Sequence, residues 1–289
     1  MVDVDARVFD RHGTPVHYWD VGSGPISVVM THGAGGDHTS FAPQVEPLAA
    51  AGFRVITWDT PPFGASRPTT APFTGRGARD DLIALVDHLG LDLPVLVGQS
   101  LGGGISQAAV RARPDRFAGL VVLGAPWITG PLRRGERVPL RRAASALSVL
   151  PTPLIHRLMV RLVAGSSPNP QLRPLVLDLL RRATRTELLQ AVRAGGELLD
   201  PDPTYRTPVP LCLIRGERDT TFQVHRIGPR WAAAEGIREV VVPDAGHVAN
   251  LDNPEVVTAA LIAFLLSLPS RLDPTNSPAA EGGQADLSQ

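Results

Sequence analysis

The stretch Val95-Leu96-Val97-Gly98-Gln99-Ser100-Leu101-Gly102-Gly103-Gly104 holds the residues best suited to chemistry. An apolar β-type run leads directly into Gly-x-Ser-x-Gly, and helix-forming residues follow over 105–113. Strand, sharp turn and helix in that order form a nucleophile elbow, which lifts a serine hydroxyl clear of the backbone. The turn leaves no room for side chains beside the serine, so Gly98 and Gly102 are the residues it requires. The amides at the start of the following helix point outward and favour an anion. A glycine-rich connection between strand and helix, with no chemistry, is the competing reading.

A serine hydroxyl needs a base beside it, and the base needs a third group to orient it. In an elbow the chain order is Ser, then Asp or Glu, then His. Three histidines follow Ser100: His156, His225 and His247. His156 falls in an Arg/Leu/Pro-rich region and His225 in a helical stretch. His247 follows the last strand-like run, at a strand end where an α/β sheet places functional groups. It is the expected base. The acid should also follow a strand. The run 209–214 leads to Arg215-Gly216-Glu217-Arg218-Asp219, which makes Asp219 the expected acid and Glu217 the fallback. A helix N-cap is the competing role for Asp219. The backbone amides of Leu101 and of Ala34, in the loop His32-Gly33-Ala34-Gly35-Gly36, would hold an oxyanion. His32 precedes the serine, so it is read as a brace for that loop.

The elements that must position these groups alternate along the chain. Strand-like runs at 6–9, 15–21, 26–31, 53–58, 94–97, 117–123, 209–214 and 239–242 are interleaved with helical periodicity at 41–51, 79–89, 223–235 and 254–268. This order predicts an α/β fold with a mostly parallel eight-stranded sheet flanked by helices. Residues 127–206 lack strand signals and show helical spacing at 132–150, 154–163, 172–183 and 186–199, so they read as an inserted helical cap. The expected division is a core over 1–126 and 207–268, a cap over 127–206, and a disordered Pro/Ser/Gly/Ala-rich tail over 269–289.

With 28 basic and 28 acidic residues the formal charge is zero, which gives no electrostatic reason to expect nucleic acid. Every basic residue is arginine, so lysine nucleophiles and Schiff-base chemistry are excluded. The single cysteine, Cys212, lies in an apolar run and rules out an internal disulfide. No apolar stretch reaches the length of a membrane span, and the start lacks the apolar core of a secretory signal. The expectation is a cytoplasmic monomer or homodimer, without metal or cofactor and without a membrane partner.

Beyond these residues, the chain resembles the α/β-hydrolase superfamily, in particular its capped esterase, lactonase and C–C hydrolase branch. The resemblance covers nearly the whole chain to about residue 268. It rests on His32-Gly33, Asp59 followed by Pro61-Pro62-Phe63-Gly64-Ala65-Ser66, the Gly98–Gly102 elbow, Gly216 to Asp219, and Gly246-His247 followed by Asn253-Pro254-Glu255. Pro62 stands where the family pattern has a glycine. The resemblance implies the triad and oxyanion roles given above. Relatives that cleave haloalkanes or epoxides carry aspartate at the nucleophile position, so Ser100 speaks against those reactions. The expected chemistry is acyl transfer from an apolar ester or lactone. A C–C hydrolase of vinylogous diketones, a cofactor-free perhydrolase and a ligand-binding receptor-like member are the alternatives. Gln99, Trp127, Phe222 and Val248 are placed to line the substrate pocket, though each could equally be core.

Overall fold

The computed structural model describes residues 5–131 and 143–269. Eight strands form one sheet in the order β1-β2-β4-β3-β5-β6-β7-β8. Strands β1 (Arg7–Arg11) and β2 (Thr14–Val21) form an antiparallel pair, and β2 also runs antiparallel to β4 (Arg54–Trp58). All remaining pairs are parallel, through β3 (Ser27–Thr31), β5 (Val95–Gln99), β6 (Gly119–Leu123), β7 (Leu211–Gly216) and β8 (Val240–Val242).

The central strands are apolar at almost every position because helices cover both faces of the sheet. Alternation along each strand divides the core in two. Val29, Ile56, Leu96, Leu120 and Leu213 face the first layer, which contains α2 (Gly75–His88) and α3 (Leu101–Ala112). Met30, Val55, Val97, Val121 and Ile214 face the second, which contains α1 (Ala42–Ala50). Between β6 and β7 the described residues form α4 (Thr152–Ala164), α5 (Leu172–Arg182) and α6 (Arg185–Glu197), and no strand. After β7 come α7 (Val224–Glu235), the single-turn α8 (Ala249–Asp252) and α9 (Pro254–Ser267).

The strand order explains where the reactive groups collect. From β3 the chain steps to β4 on one side and returns to β5 on the other, so the β3 and β5 loops part and open a crevice. Ligands in open α/β sheets bind at such a switch point. Ser100 follows β5, and Gly33 and Ala34 follow β3.

Several expected boundaries moved, two of them with a cap as the cause. Helix α2 starts at Gly75, four residues before the apolar spacing begins, because the Thr74 side chain caps it by accepting from the Gly77 amide. Gly75 and Gly77 are poor helix formers and conceal that first turn. Helix α6 starts at Arg185 on a capping box, in which Thr184 and Glu187 satisfy each other's backbone amides. Residues 132–142 of the first expected cap helix, and the tail beyond residue 269, lie outside the described residues.

A contrast between two glycines tests the packing at the elbow. A Cβ on Gly102 would run into the Thr31 carbonyl oxygen, whereas one on Gly90 meets nothing within 4 Å. Gly102→Ala should lose about 3 kcal/mol or more of unfolding free energy in urea, because backbone must move. Gly90→Ala should lose only about 1 kcal/mol, for its left-handed backbone. Equal losses in the two variants would contradict the packing described.

Candidate active site

The elbow is built by close backbone approach. Ser100 has φ 53° and ψ −117°, outside the regions a non-glycine residue normally occupies. A Cβ on Gly98 would collide with the backbone of Gly102, and one on Gly103 would lie 2.5 Å from the Ala125 Cβ. The strained turn is pinned by the Ser100 amide, which donates to the Leu123 carbonyl at 2.9 Å. Strain of this kind costs on the order of 1–3 kcal/mol and persists only where the surroundings over-determine it.

Ser100, His247 and Asp219 meet in one hydrogen-bonded chain. The Ser100 Oγ lies 2.9 Å from His247 Nε2, and His247 Nδ1 lies 2.9 Å from Asp219 Oδ2. A carboxylate only accepts, so Nδ1–H donates to Asp219 and Nε2 is left to accept the serine proton. Asp219 is fully buried and His247 is 1% exposed, while Ser100 retains 8% exposure at the crevice. The other Asp219 oxygen accepts the Thr221 amide at 2.8 Å. That bond to the residue two positions on closes a turn and is not a helix cap: Thr220 stands at the N-cap of the short 3-10 helix Thr221–Gln223, and Gln223 at that of α7. Glu217, the fallback acid, is exposed and accepts the Asp244 amide instead. Gly124 makes room for the pair: a Cβ there would stand 3.2 Å from Asp219 Oδ2 and 3.4 Å from His247 Nδ1. Sequence reading overlooked Gly124, although a glycine directly after a buried strand was visible.

The β3 loop closes over the serine. A Cβ on Gly33 would come within 3.2 Å of the Ser100 Cβ. Ala34 and Leu101, the expected oxyanion donors, are both half-buried, and Leu101 is the first residue of α3. His32 braces this loop. Its Nε2 accepts the Thr60 amide at 3.0 Å, so its proton sits on Nδ1 and is donated to the Gly33 carbonyl at 2.8 Å. Burial pushes the His32 pKa below its ordinary value, which keeps the ring neutral.

Asp59 was visible as a strand-end acid, but its partner was not. The carboxylate is fully buried and accepts the His38 amide at 2.7 Å, the His38 ring at 2.9 Å and the Ala65 amide at 2.7 Å. Burial pushes this carboxyl up, but the hydrogen bonds from His38 and Ala65 outweigh it and hold the group below its usual value. His38 in turn stacks on Trp19, with ring centroids 3.4 Å apart. A loop histidine paired with an acid twenty-one residues later leaves no periodic trace in sequence. The Pro62 substitution sits in this loop, whose Ala65 amide still reaches Asp59.

The four expected pocket residues separate. Gln99 is buried and donates to the His247 carbonyl at 3.3 Å. The Phe222 ring stands edge-on to the His247 ring at 6.1 Å and is 39% exposed. Val248 follows His247 and is packed in the core. Trp127 corrects the expectation: it is a core side chain, stacked on Trp231 of α7 at 5.7 Å and 4°. Gly130 lets the chain fold back on that indole, since a Cβ there would lie 2.6 Å from it. His156 lies on α4 and His225 on α7. Burial raises the Cys212 thiol to about 11.

The helices between β6 and β7 are tied to the loops around Ser100. Arg182 on α5 reaches Asp37 at 3.3 Å, and Glu187 on α6 takes Arg67 at 3.0 Å. Among the described residues no helix is long and apolar enough to cross a membrane, and no three His, Cys, Asp or Glu side chains are grouped as metal ligands would be.

The family model for the alpha/beta hydrolase fold matches residues 26–254. Haloalkane dehalogenase 2 from Mycobacterium tuberculosis is 30% identical over 283 residues, covering 89% of this chain and 94% of that protein. A 2-hydroxy-6-oxononadienedioate/2-hydroxy-6-oxononatrienedioate hydrolase from Dechloromonas aromatica is 38% identical over 117 residues, which is 38% of this chain and 39% of that enzyme. Among solved structures, a thermophilic esterase from Thermogutta terrifontis superposes with a TM-score of 0.76 at 26% identity, covering 91% of this chain and 98% of that one.

The neutral His32 yields a pH prediction. Its folded pKa lies below the unfolded one, so the folded state binds fewer protons and stability rises with pH. This contribution is complete above the unfolded pKa of roughly 6.5 and is lost as pH falls toward the lower folded value. Urea unfolding of the wild type should therefore weaken from pH 7 to pH 5. Because Gln cannot be protonated, the slope should be shallower in His32→Gln; an identical slope would mean that His32 does not titrate as described.

Proposed function

The chain belongs to the alpha/beta hydrolase fold family and is a hydrolase, and on that premise we propose that it cleaves a carboxylic ester or lactone through an acyl-enzyme on Ser100. The observation that carries this reading is the unbroken chain Ser100 Oγ, His247 Nε2, His247 Nδ1, Asp219 Oδ2, with both links at 2.9 Å. His247 takes the hydroxyl proton as Ser100 Oγ attacks the carbonyl carbon. The oxygen of the tetrahedral adduct is held by the amides of Ala34 and Leu101, each such donor being worth roughly 3–4 kcal/mol of barrier. His247 then returns the proton to the departing alkoxide. A water enters, gives its proton to His247 and attacks the acyl carbon, and Ser100 leaves with that proton. Asp219 holds the ring in the required tautomer and stabilises the imidazolium. No cofactor is needed for any step.

The remaining assignments follow from position. The described residues of 127–206 act as a cap over the crevice, with Gln99 and Phe222 on the pocket side of His247. The substrate is a small molecule with an apolar acyl chain. Serine also explains why the dehalogenase relative's reaction is not carried over. Displacement of halide by Ser100 would leave an alkyl ether with no carbonyl for water to attack, and turnover would stop. A second reading has a specific observation behind it: the 38% identity over 117 residues with the 2-hydroxy-6-oxononadienedioate/2-hydroxy-6-oxononatrienedioate hydrolase from Dechloromonas aromatica. In that reading the same triad cleaves a C–C bond, and a proton must reach carbon instead of an alkoxide.

Short-chain p-nitrophenyl esters test the main reading. The wild type should release nitrophenolate, and Ser100→Ala should lower kcat on the order of 10⁴-fold or more. Asp219→Asn should cost about 10⁴-fold, because it lets His247 adopt the wrong tautomer. Hydrolysis by Ser100→Ala at the wild-type rate would overturn the assignment. A panel holding esters, lactones and vinylogous diketones then ranks the two readings by kcat/KM.

A further inference from the structure

Behind Phe222, whose ring stands edge-on to His247, lies a cleft of about 630 Å³ between α4 and the loop after β7; the triad side chains do not line it. Its size is that of a small-molecule site. Leu158, Leu162 and Phe222 line it, and all three are large apolar side chains left exposed, at 40%, 42% and 39%. Leu158 and Leu162 are one helical turn apart on α4, so their exposed faces form a single strip. Two guanidiniums, Arg161 and Arg218, complete the wall, and no acidic residue lines it.

The charge in the cleft is unbalanced. Arg161 has no ion-pair partner among the described residues, and Arg218 holds only Asp244, in a pair whose side chains are 51% and 75% exposed. Such an exposed pair is worth at most about 1 kcal/mol and yields readily to a competing anion. At this end of α4 the helix dipole opposes an anion, so the two guanidiniums must outweigh it; Leu162 O accepts the Thr221 hydroxyl at 2.9 Å and Gly165 O accepts Arg173 at 3.5 Å. The Ser166 hydroxyl, also in the cleft wall, is buried without a hydrogen-bond partner.

The cleft is coupled to the triad by its own wall. Thr221 donates its amide to Asp219. Phe222 and Gln223 both hold left-handed backbone, at φ 49° and 58°. Two consecutive non-glycine residues in that region are strained, and the strain aims the phenyl ring between the cleft and His247. An apolar floor, a cationic rim and a shared aromatic wall with the base describe a place for an amphiphilic chain.

We infer that this cleft is a substrate subsite for an apolar chain ending in a carboxylate, passing Phe222 so that its carbonyl lies at Ser100 and its carboxylate between Arg161 and Arg218. The substrate class is then a monoester of a medium-chain dicarboxylic acid. This rests on the ester-hydrolase reading of Ser100, and two separate readouts keep their failures apart.

The first readout is binding and needs no turnover. Calorimetric titration of the wild type with octanoate should show binding that weakens about tenfold in Arg161→Gln/Arg218→Gln, roughly threefold per exposed arginine. Octanol should show no such dependence on the arginines. Leu162→Gln should weaken octanoate as well, by placing an amide in the apolar strip. The second readout is specificity: the ratio of kcat/KM for the mono-p-nitrophenyl ester of octanedioic acid to that for p-nitrophenyl octanoate. That ratio should fall about tenfold in the double variant. Octanoate binding the double variant as tightly as the wild type, or an unchanged ratio in an active enzyme, would overturn the subsite. Arginine-dependent octanoate binding in a protein that hydrolyses neither ester supports the subsite and rejects the Ser100 reading.

Discussion

Everything at the catalytic end of this sheet depends on how closely two backbone segments approach at the elbow. Ser100 sits at φ 53° because β5 must stop and α3 must start within a single residue. That is possible only where Gly98 and Gly102 present bare backbone to each other and to Thr31. The same proximity brings the β3 loop against the Ser100 side chain and leaves the first amides of α3 free of helical partners. The strain is held by the packed parallel strands, whose loops cannot relax without breaking the sheet. A serine hydroxyl held at the crevice, an anion-favouring helix start and a facing loop are thus consequences of one geometric constraint.

Around that point the polar groups are sorted by burial. Asp219 and Asp59 are both fully enclosed carboxylates at strand ends, and each is saturated by donors. An unsatisfied buried carboxylate would cost several kcal/mol, so the donors are a condition of folding as well as of chemistry. The two acids divide the labour. Asp219 spends one oxygen on His247 and the other on the Thr221 amide, orienting the base and its loop together. Asp59 anchors His38 and the Ala65 turn, and neutral His32 fixes the path of Gly33. Histidine therefore serves the site in two ways, one linking a carboxylate to the Ser100 hydroxyl and one as a hydrogen-bonding strut.

Much of this was legible in the chain because the signals were local or ordered. Apolar runs ending in glycine marked the strands, and the order Ser100, Asp219, His247 matched the geometry an elbow requires. What escaped were features fixed by packing between distant segments. The start of α2 was hidden by Gly75 and Gly77, although Thr74 was a readable cap. The capping box at Thr184 was also present in sequence, yet apolar periodicity pulled the expected start of α6 inward. Trp127 was placed on the pocket wall by its nearness to a strand end; stacking on Trp231, more than a hundred residues away, put it in the core instead. The cleft with Arg161 and Arg218 had no motif, since α4 and the β7 loop meet only in three dimensions.

The central claim is that Ser100 becomes covalently acylated, and a rapid-quench experiment addresses it directly. Enzyme mixed with excess p-nitrophenyl octanoate is quenched in acid within milliseconds, then analysed by intact and peptide mass spectrometry while nitrophenolate release is followed in parallel. The account predicts an octanoyl adduct on the peptide containing Ser100, formed no slower than turnover and absent in Ser100→Ala. Where deacylation is the slower step, a burst of about one nitrophenolate per enzyme accompanies it. Sustained hydrolysis with no adduct on Ser100, or an adduct on another residue that turns over at the steady-state rate, would contradict it.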